Sequence, residues 1–202
     1  MVNDKTILRF ILVLPRIPEI GQFRLKDLPG SGGRVDILCR SLAACFDWGP
    51  ATWPLSRLEL VAVVGEDATL RFESPADALP RGETHWARVI SSVLEGKALA
   101  SVSRERKTLD ELLRDILSSP NEQVWALEES GEPLEMCTDL DPRGKNSFML
   151  GDHRGFDSAA IRAIDDHSIY RLTLGNTSYP TSHCVAAIIS RFEGLVNDDA
   201  GR

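Results

Sequence analysis

The sequence predicts an α/β fold built on an at least partly parallel sheet flanked by helices. Short β-branched and leucine-rich runs of strand length alternate with stretches whose apolar residues recur at helical spacing, and glycine-bearing turns follow the apolar runs. With 202 residues and 43% apolar side chains the chain can fill one packed core, and it reads as one domain over residues 1–202.

Thr6 to Leu14 is the first strand, a β-branched and Leu-rich run ended by Pro15. Arg16 to Gly33 is loop. From Arg34 the period changes: Val35, Leu38, Leu42, Cys45 and Phe46 share one helical face, while Asp36, Arg40 and Ser41 take the other. Leu58 to Val64 is a second strand and Thr69 to Phe72 a third, followed by a break at Pro75 and Pro80. Trp86 to Leu94 is helical. Thr108 stands three residues before Glu111, a capping box for a helix whose stripe is Leu112, Leu113, Ile116 and Leu117, with Pro120 beyond its end. Val124 to Leu127, Ser147 to Leu150 and Ile169 to Leu174 complete the strands; helices fill Ser158 to Asp165 and Ser182 to Phe192, and Asn197 to Arg202 reads as a frayed tail. Ligands in such sheets bind where strands end. Gly151, Gly175 and the loops after Leu127 and Leu14 lie there, so one cleft built from these loops is expected.

Composition narrows the function. No run approaches the roughly 18 uncharged apolar residues of a membrane span. The best leader candidate, Ile7 to Pro15, is interrupted by Arg9 and lacks a small-residue cleavage site, so neither secretion nor membrane insertion is expected. Cys39, Cys45, Cys137 and Cys184 form no CxxC pair, which fits a reducing cytoplasm and gives no zinc or disulfide framework. The net charge of −7 argues against a protein that coats nucleic acid generically, yet it is unevenly placed: residues 1–40 carry +3 and the rest −10. That asymmetry allows a local basic face drawn from Arg9, Arg16, Arg24, Lys26, Arg34 and Arg40.

Pro29-Gly30-Ser31-Gly32-Gly33 is a flexible turn whose amides can face an anion at the start of the next helix, or can simply cap that helix. It lacks the Lys-Ser/Thr ending of a P-loop, and no GxGxxG lies between the first strand and helix, so nucleotide-triphosphatase and dinucleotide readings fail. Asp36 and Arg40 stand in the favourable order for an intrahelical pair, their default reading. Gly151-Asp152-His153 ends a strand with groups able to orient a ligand or handle a proton, although a lone His on such a turn is more often structural. His85, His167 and His183 form no metal-ligand spacing with it, and no metal is expected. Cys184 lacks a partner base, so packing wins over nucleophilic chemistry. Around Asn176-Thr177-Ser178, main-chain groups can clasp a cofactor without special side chains.

Taken together, five blocks resemble the archaeal tRNA pseudouridine-54 N1-methyltransferase family, a branch of the SPOUT class. They are Asp27-Leu28-Pro29-Gly30-Ser31-Gly32-Gly33-Arg34-Val35-Asp36-Ile37-Leu38-Cys39-Arg40, Leu70-Arg71-Phe72-Glu73, Leu127-Glu128-Glu129-Ser130-Gly131, Phe148-Met149-Leu150-Gly151-Asp152-His153, and Leu172-Thr173-Leu174-Gly175 with Cys184 nine residues on. They keep family order across almost the whole chain. The resemblance implies a SPOUT methyltransferase fold with a C-terminal trefoil knot, a homodimer, and S-adenosylmethionine as cofactor. By position, the cofactor contacts become Leu127, Gly151, Leu174, Gly175, Asn176, Thr177, Ser178, Tyr179 and Cys184. Methyl transfer to N1 of a pseudouridine in the tRNA T-arm needs in-line positioning, loss of the N1 proton and stabilisation of charge on the ring carbonyls. Asp36 and Arg34 are the expected catalytic pair, with Arg34 and Arg40 on the substrate. Tyr179-Pro180-Thr181-Ser182 departs from the family's Leu-His-Ala-Asp, Arg191-Phe192-Glu193-Gly194 replaces its closing stretch, and Cys45 to Gly49 with Pro50 and Pro54 differ after the first helix. Those changes fall toward the substrate side or the dimer face, so a related enzyme with another RNA pseudouridine target, or a non-catalytic RNA-binding or assembly factor, stands as the alternative.

Overall fold

The computed structural model describes residues 7–21, 23–47, 55–73, 81–141 and 143–198. The break at Pro75 and Pro80, the divergent Trp48, Gly49, Pro50 and Pro54, and the tail beyond Asp198 lie outside the described residues. Seven strands, β1 (Ile7–Leu14), β2 (Leu58–Val64), β3 (Ala68–Glu73), β4 (Val102–Arg106), β5 (Glu122–Pro133), β6 (Lys145–Leu150) and β7 (Tyr170–Thr173), form one sheet in the order β4-β3-β2-β1-β6-β5-β7. β2, β1, β6, β5 and β7 run parallel; β3 and β4 continue the sheet antiparallel.

The central strand explains the layering. Leu8, Phe10, Leu12 and Leu14 join one core with α2 (Val35–Leu42), α3 (Glu83–Leu94) and α6 (Thr181–Asp198), while Ile11 and Val13 join another with α4 (Leu109–Ser118) and α5 (Ser158–Asp166). A strand covered on both faces has no polar side to show, hence its unbroken apolar run. Arg9 is the exception. It is buried beyond the second core, donating to Glu59 and Glu122 at 2.7 Å each and to Ser147 Oγ at 3.0 Å, and so contributes nothing to a basic face.

Helix ends follow their caps. Thr108 Oγ1 accepts from the Glu111 amide at 3.3 Å and Glu111 returns a bond to the Thr108 amide at 2.9 Å, the reciprocal box the spacing predicts. Three readings need correction. The loop before α2 contains a four-residue helix, α1 (Leu28–Ser31), capped by Asp27. Val102 to Arg106 forms β4, which escapes sequence reading because its side chains are mostly exposed on the sheet edge and carry no apolar alternation. α6 continues through Asn197 to Asp198, within the stretch expected to fray.

Candidate active site

A cavity of about 830 Å³ opens where the parallel strands finish. Leu127 to Ser130 of β5, Leu150 to Phe156 after β6, and Thr173, Leu174 and Thr177 to Ser182 after β7 line it, together with Cys184 and, from α2 and its cap, Arg34, Ile37 and Arg40. The expected cleft is therefore present, and it brings Arg34, Arg40, Leu127, Gly151, Leu174, Thr177, Ser178, Tyr179 and Cys184 to one place. Asp36, Gly175 and Asn176 are not among the lining residues.

The glycine turn serves the site through the residue it delivers. Asp27 accepts the amides of Gly30 and Ser31, and Gly32 accepts that of Val35, so the turn caps helices. Gly33 sits at φ +57°, and a Cβ there would lie 1.8 Å from the Arg16 carbonyl oxygen; no other residue fits between the two segments. Arg34 follows in the left-handed region at φ 75°, ψ 32°, a conformation costing roughly 1–2 kcal/mol for an L residue. Its guanidinium grips Asp36 with both arms, Nε to Oδ1 at 2.9 Å and a terminal nitrogen to Oδ2 at 3.0 Å. Arg40 bonds the same Oδ2.

Asp36 is 5% exposed. Burial pushes its carboxyl up, but the Arg34 hydrogen bonds and the charges of Arg34 and Arg40 outweigh this and hold it below the ordinary carboxylate value. Reciprocally, the bond to Asp36 pushes Arg34 up, with Asp152 adding to the attraction. Asp152 repeats the pattern after β6: burial pushes up, while the Arg154 amide, Arg16 and His153 together hold it low. Arg16 from the loop after β1 bonds Asp152 Oδ2 and approaches His153 Nδ1 at 3.3 Å. The basic residues that converge are thus Arg16, Arg34 and Arg40; Arg24 and Lys26 are exposed on the loop leading to α1.

The wall formed after β6 and β7 is made largely of backbone held by small side chains. A Cβ on Gly151 would lie 2.4 Å from the Gly155 backbone, so the chain closes there only without a side chain. Thr181 Oγ1 donates to the Gly151 carbonyl at 3.0 Å, and Thr173 Oγ1 donates to the Gly175 carbonyl at 2.8 Å while accepting its amide at 3.2 Å. Gly175 thus supports the wall from behind. Burial pushes the Cys184 thiol up to about 11, so it packs as a neutral group. Sequence reasoning missed Thr173 and Thr181; only Thr181, the first helical residue after Pro180, carried a local signal, whereas Glu128 and Glu129 lie in the loop after Leu127 that was expected to build the cleft. Among the described residues no group of three or more His, Cys, Asp or Glu could hold a metal ion, and no helix is long and apolar enough to cross a membrane.

The sequence model of a family described as SAM-dependent RNA methyltransferases matches residues 7–193. A tRNA (pseudouridine(54)-N(1))-methyltransferase of Halobacterium salinarum is 28% identical over 88% of this chain and 91% of its own length. Its counterpart in Thermococcus gammatolerans is 30% identical over 87% and 91%. In architecture the chain is similar to Archaeoglobus fulgidus Nep1, solved bound to S-adenosylhomocysteine, with a TM-score of 0.66, 15% identity, and coverage of 96% of this chain and 99% of that one. With the cavity at the strand ends and the match running almost end to end, this chain belongs to the family of S-adenosylmethionine-dependent RNA methyltransferases.

Proposed function

We propose that this chain methylates N1 of the pseudouridine at position 54 of tRNA, acting as a homodimer in the cytoplasm, with its C-terminal segment closed into the trefoil knot that the family resemblance implies. The observation that carries the reading is one cavity lined at once by the main-chain wall of Gly151 and the post-β7 segment and by Arg34 and Arg40. The relatives named for this reaction support it.

The cavity suits the cofactor. Its volume lies within the roughly 300–1,000 Å³ of small-molecule sites, and Ile37, Leu127, Leu150, Leu174 and Phe156 give it apolar walls interrupted by backbone polar groups. Leu127, Gly151, Leu174, Thr177, Ser178, Tyr179 and Cys184 would hold S-adenosylmethionine, with Gly175 and Asn176 shaping the segment behind them. Bound there, it supplies a methyl group on a positively charged sulfur, an electrophile that needs no acid from the protein.

The chain's own residues then serve the acceptor. Arg34 and Arg40 stabilise negative charge spreading onto the carbonyls as N1 loses its proton. Asp36, the expected proton acceptor, lies behind these arginines with both carboxylate oxygens engaged. We assign it the positioning of Arg34 and Arg40, and the proton passes to water at the open mouth. Incubating the protein with S-adenosylmethionine and tRNA carrying pseudouridine 54, then analysing nucleosides by mass spectrometry, tests the reading. The expected product is N1-methylpseudouridine, absent when uridine occupies the position; cofactor binding without transfer to any pseudouridine would favour the assembly-factor alternative.

A further inference from the structure

The turn after β6 is braced by bonds from both ends and from a distant loop. Asp152 and Gly155 pair across it, with the Gly155 amide donating to the Asp152 carbonyl at 3.0 Å. Asp152 Oδ1 accepts the Arg154 amide at 2.7 Å, and Oδ2 is held by Arg16 from another loop. The Asp152 side chain is only 8% exposed, so this lock sits inside the wall. Residues 153 and 154 form the tip of the turn and are fixed from both ends.

Three arginines line the cavity. Arg34 and Arg40 are committed to Asp36. Arg154 is exposed, and its guanidinium has no hydrogen-bond or ion-pair partner among the described residues. A solvated surface arginine ordinarily carries little meaning, but here its backbone is locked and its charge lies at the mouth of a cavity in a chain of net charge −7. A planar guanidinium with all its donors free matches a phosphate.

We propose that Arg154 grips a phosphodiester of the RNA substrate beside the target nucleotide, with Arg16 and Asp152 holding the turn that presents it. The assignment rests on the reading of the chain as an RNA methyltransferase and adds to it a phosphate contact on the cofactor-loop wall, separate from the α2 arginines. A neutralised phosphate releases counterions, so this contact contributes about 0.7–0.9 to the slope of log affinity against log salt.

The test compares the full-length protein with Arg154→Gln and Arg154→Lys, using tRNA that carries pseudouridine 54 over a series of potassium chloride concentrations. Arg154→Gln is expected to weaken RNA binding about 5–10-fold near 0.1 M salt and to lower the salt slope by about one. The loss should fall on KM for the RNA more than on kcat, and Arg154→Lys should keep the slope. Calorimetry with S-adenosylhomocysteine separates the other anion within reach, the cofactor's carboxylate. An unchanged slope in Arg154→Gln, or a loss confined to S-adenosylhomocysteine affinity, overturns the assignment while wild-type methylation stands. Wild-type protein that methylates no pseudouridine overturns the underlying reading and the assignment with it.

Discussion

Arg34 is held where its backbone does not want to be. Its left-handed conformation is stabilised by the two-armed bond to Asp36, two residues on, and the tight seat of Gly33 against the Arg16 carbonyl leaves the chain no alternative path. Removing the negative charge of Asp36 leaves two guanidiniums adjacent without their counterion. Asp36→Asn is therefore expected to lower kcat/KM for RNA by roughly 10–100-fold, equivalent to about 1.4–2.7 kcal/mol, with S-adenosylhomocysteine affinity retained. The pH profile of kcat should keep its shape; a wild-type profile that is level above about pH 5 and turns into an alkaline rise in the variant would restore Asp36 as the proton acceptor. Cys184 gives a second test at this scale. With its thiol near 11 instead of the ordinary 9.0, the thiolate fraction near neutrality is about a hundredfold smaller, and iodoacetamide should label it correspondingly slowly in the native protein. Labelling at the rate of a free thiol would show that the site around it is open.

At the level of elements, the strands that build the site were legible because each carries a short apolar stretch that packs into the core, and α4 because its capping box is written in the sequence. What was not legible depends on neighbours distant in the chain. β5 is one example: both Leu127 and Glu132 register against Leu172, so Glu128 to Gly131 bulge out of the ladder, and Glu128 to Ser130 line the site. The loop after Leu127 was expected at the cleft, but the bulge that seats Glu129 there depends on this distant pairing. Gly151 reads as a turn glycine and Gly131 enters only within a family block, but the structure gives each a steric reason, since a Cβ would lie 2.4 Å from Gly155 backbone in the first case and 2.5 Å from Leu172 backbone in the second. Backbone on both sides cannot swing away as a side chain can. Gly151→Ala should displace the turn carrying Asp152, weakening S-adenosylhomocysteine by tenfold or more in calorimetry; wild-type affinity in that variant would mean that the loop is not the cofactor wall.

For the molecule as a whole, the sheet's parallel half gathers five strand ends at one edge, and the charges that hold that edge together come from segments far apart in sequence: Arg16, Arg34 and Arg40 against Asp36 and Asp152. The sequence hinted at this through the basic excess of its first forty residues, but could not say that Arg9 turns inward to a separate buried network while Arg16 crosses to Asp152. The assembly makes acid stability a property of the site. Both carboxyls are held below their ordinary value of 3.8, so each binds its proton more readily in the unfolded chain than in the folded one. Their contribution is fully present above about pH 4–5 and drains away as the pH falls through the lower folded values. Thermal stability should thus be level from neutrality to about pH 5 and fall steeply below pH 4, with S-adenosylhomocysteine binding lost in the same window. Asp36→Asn and Asp152→Asn should each start from a lower melting temperature at pH 7 and show a shallower acid slope than the wild type. A variant that falls as steeply as the wild type below pH 4 would place the acid sensitivity elsewhere in the molecule.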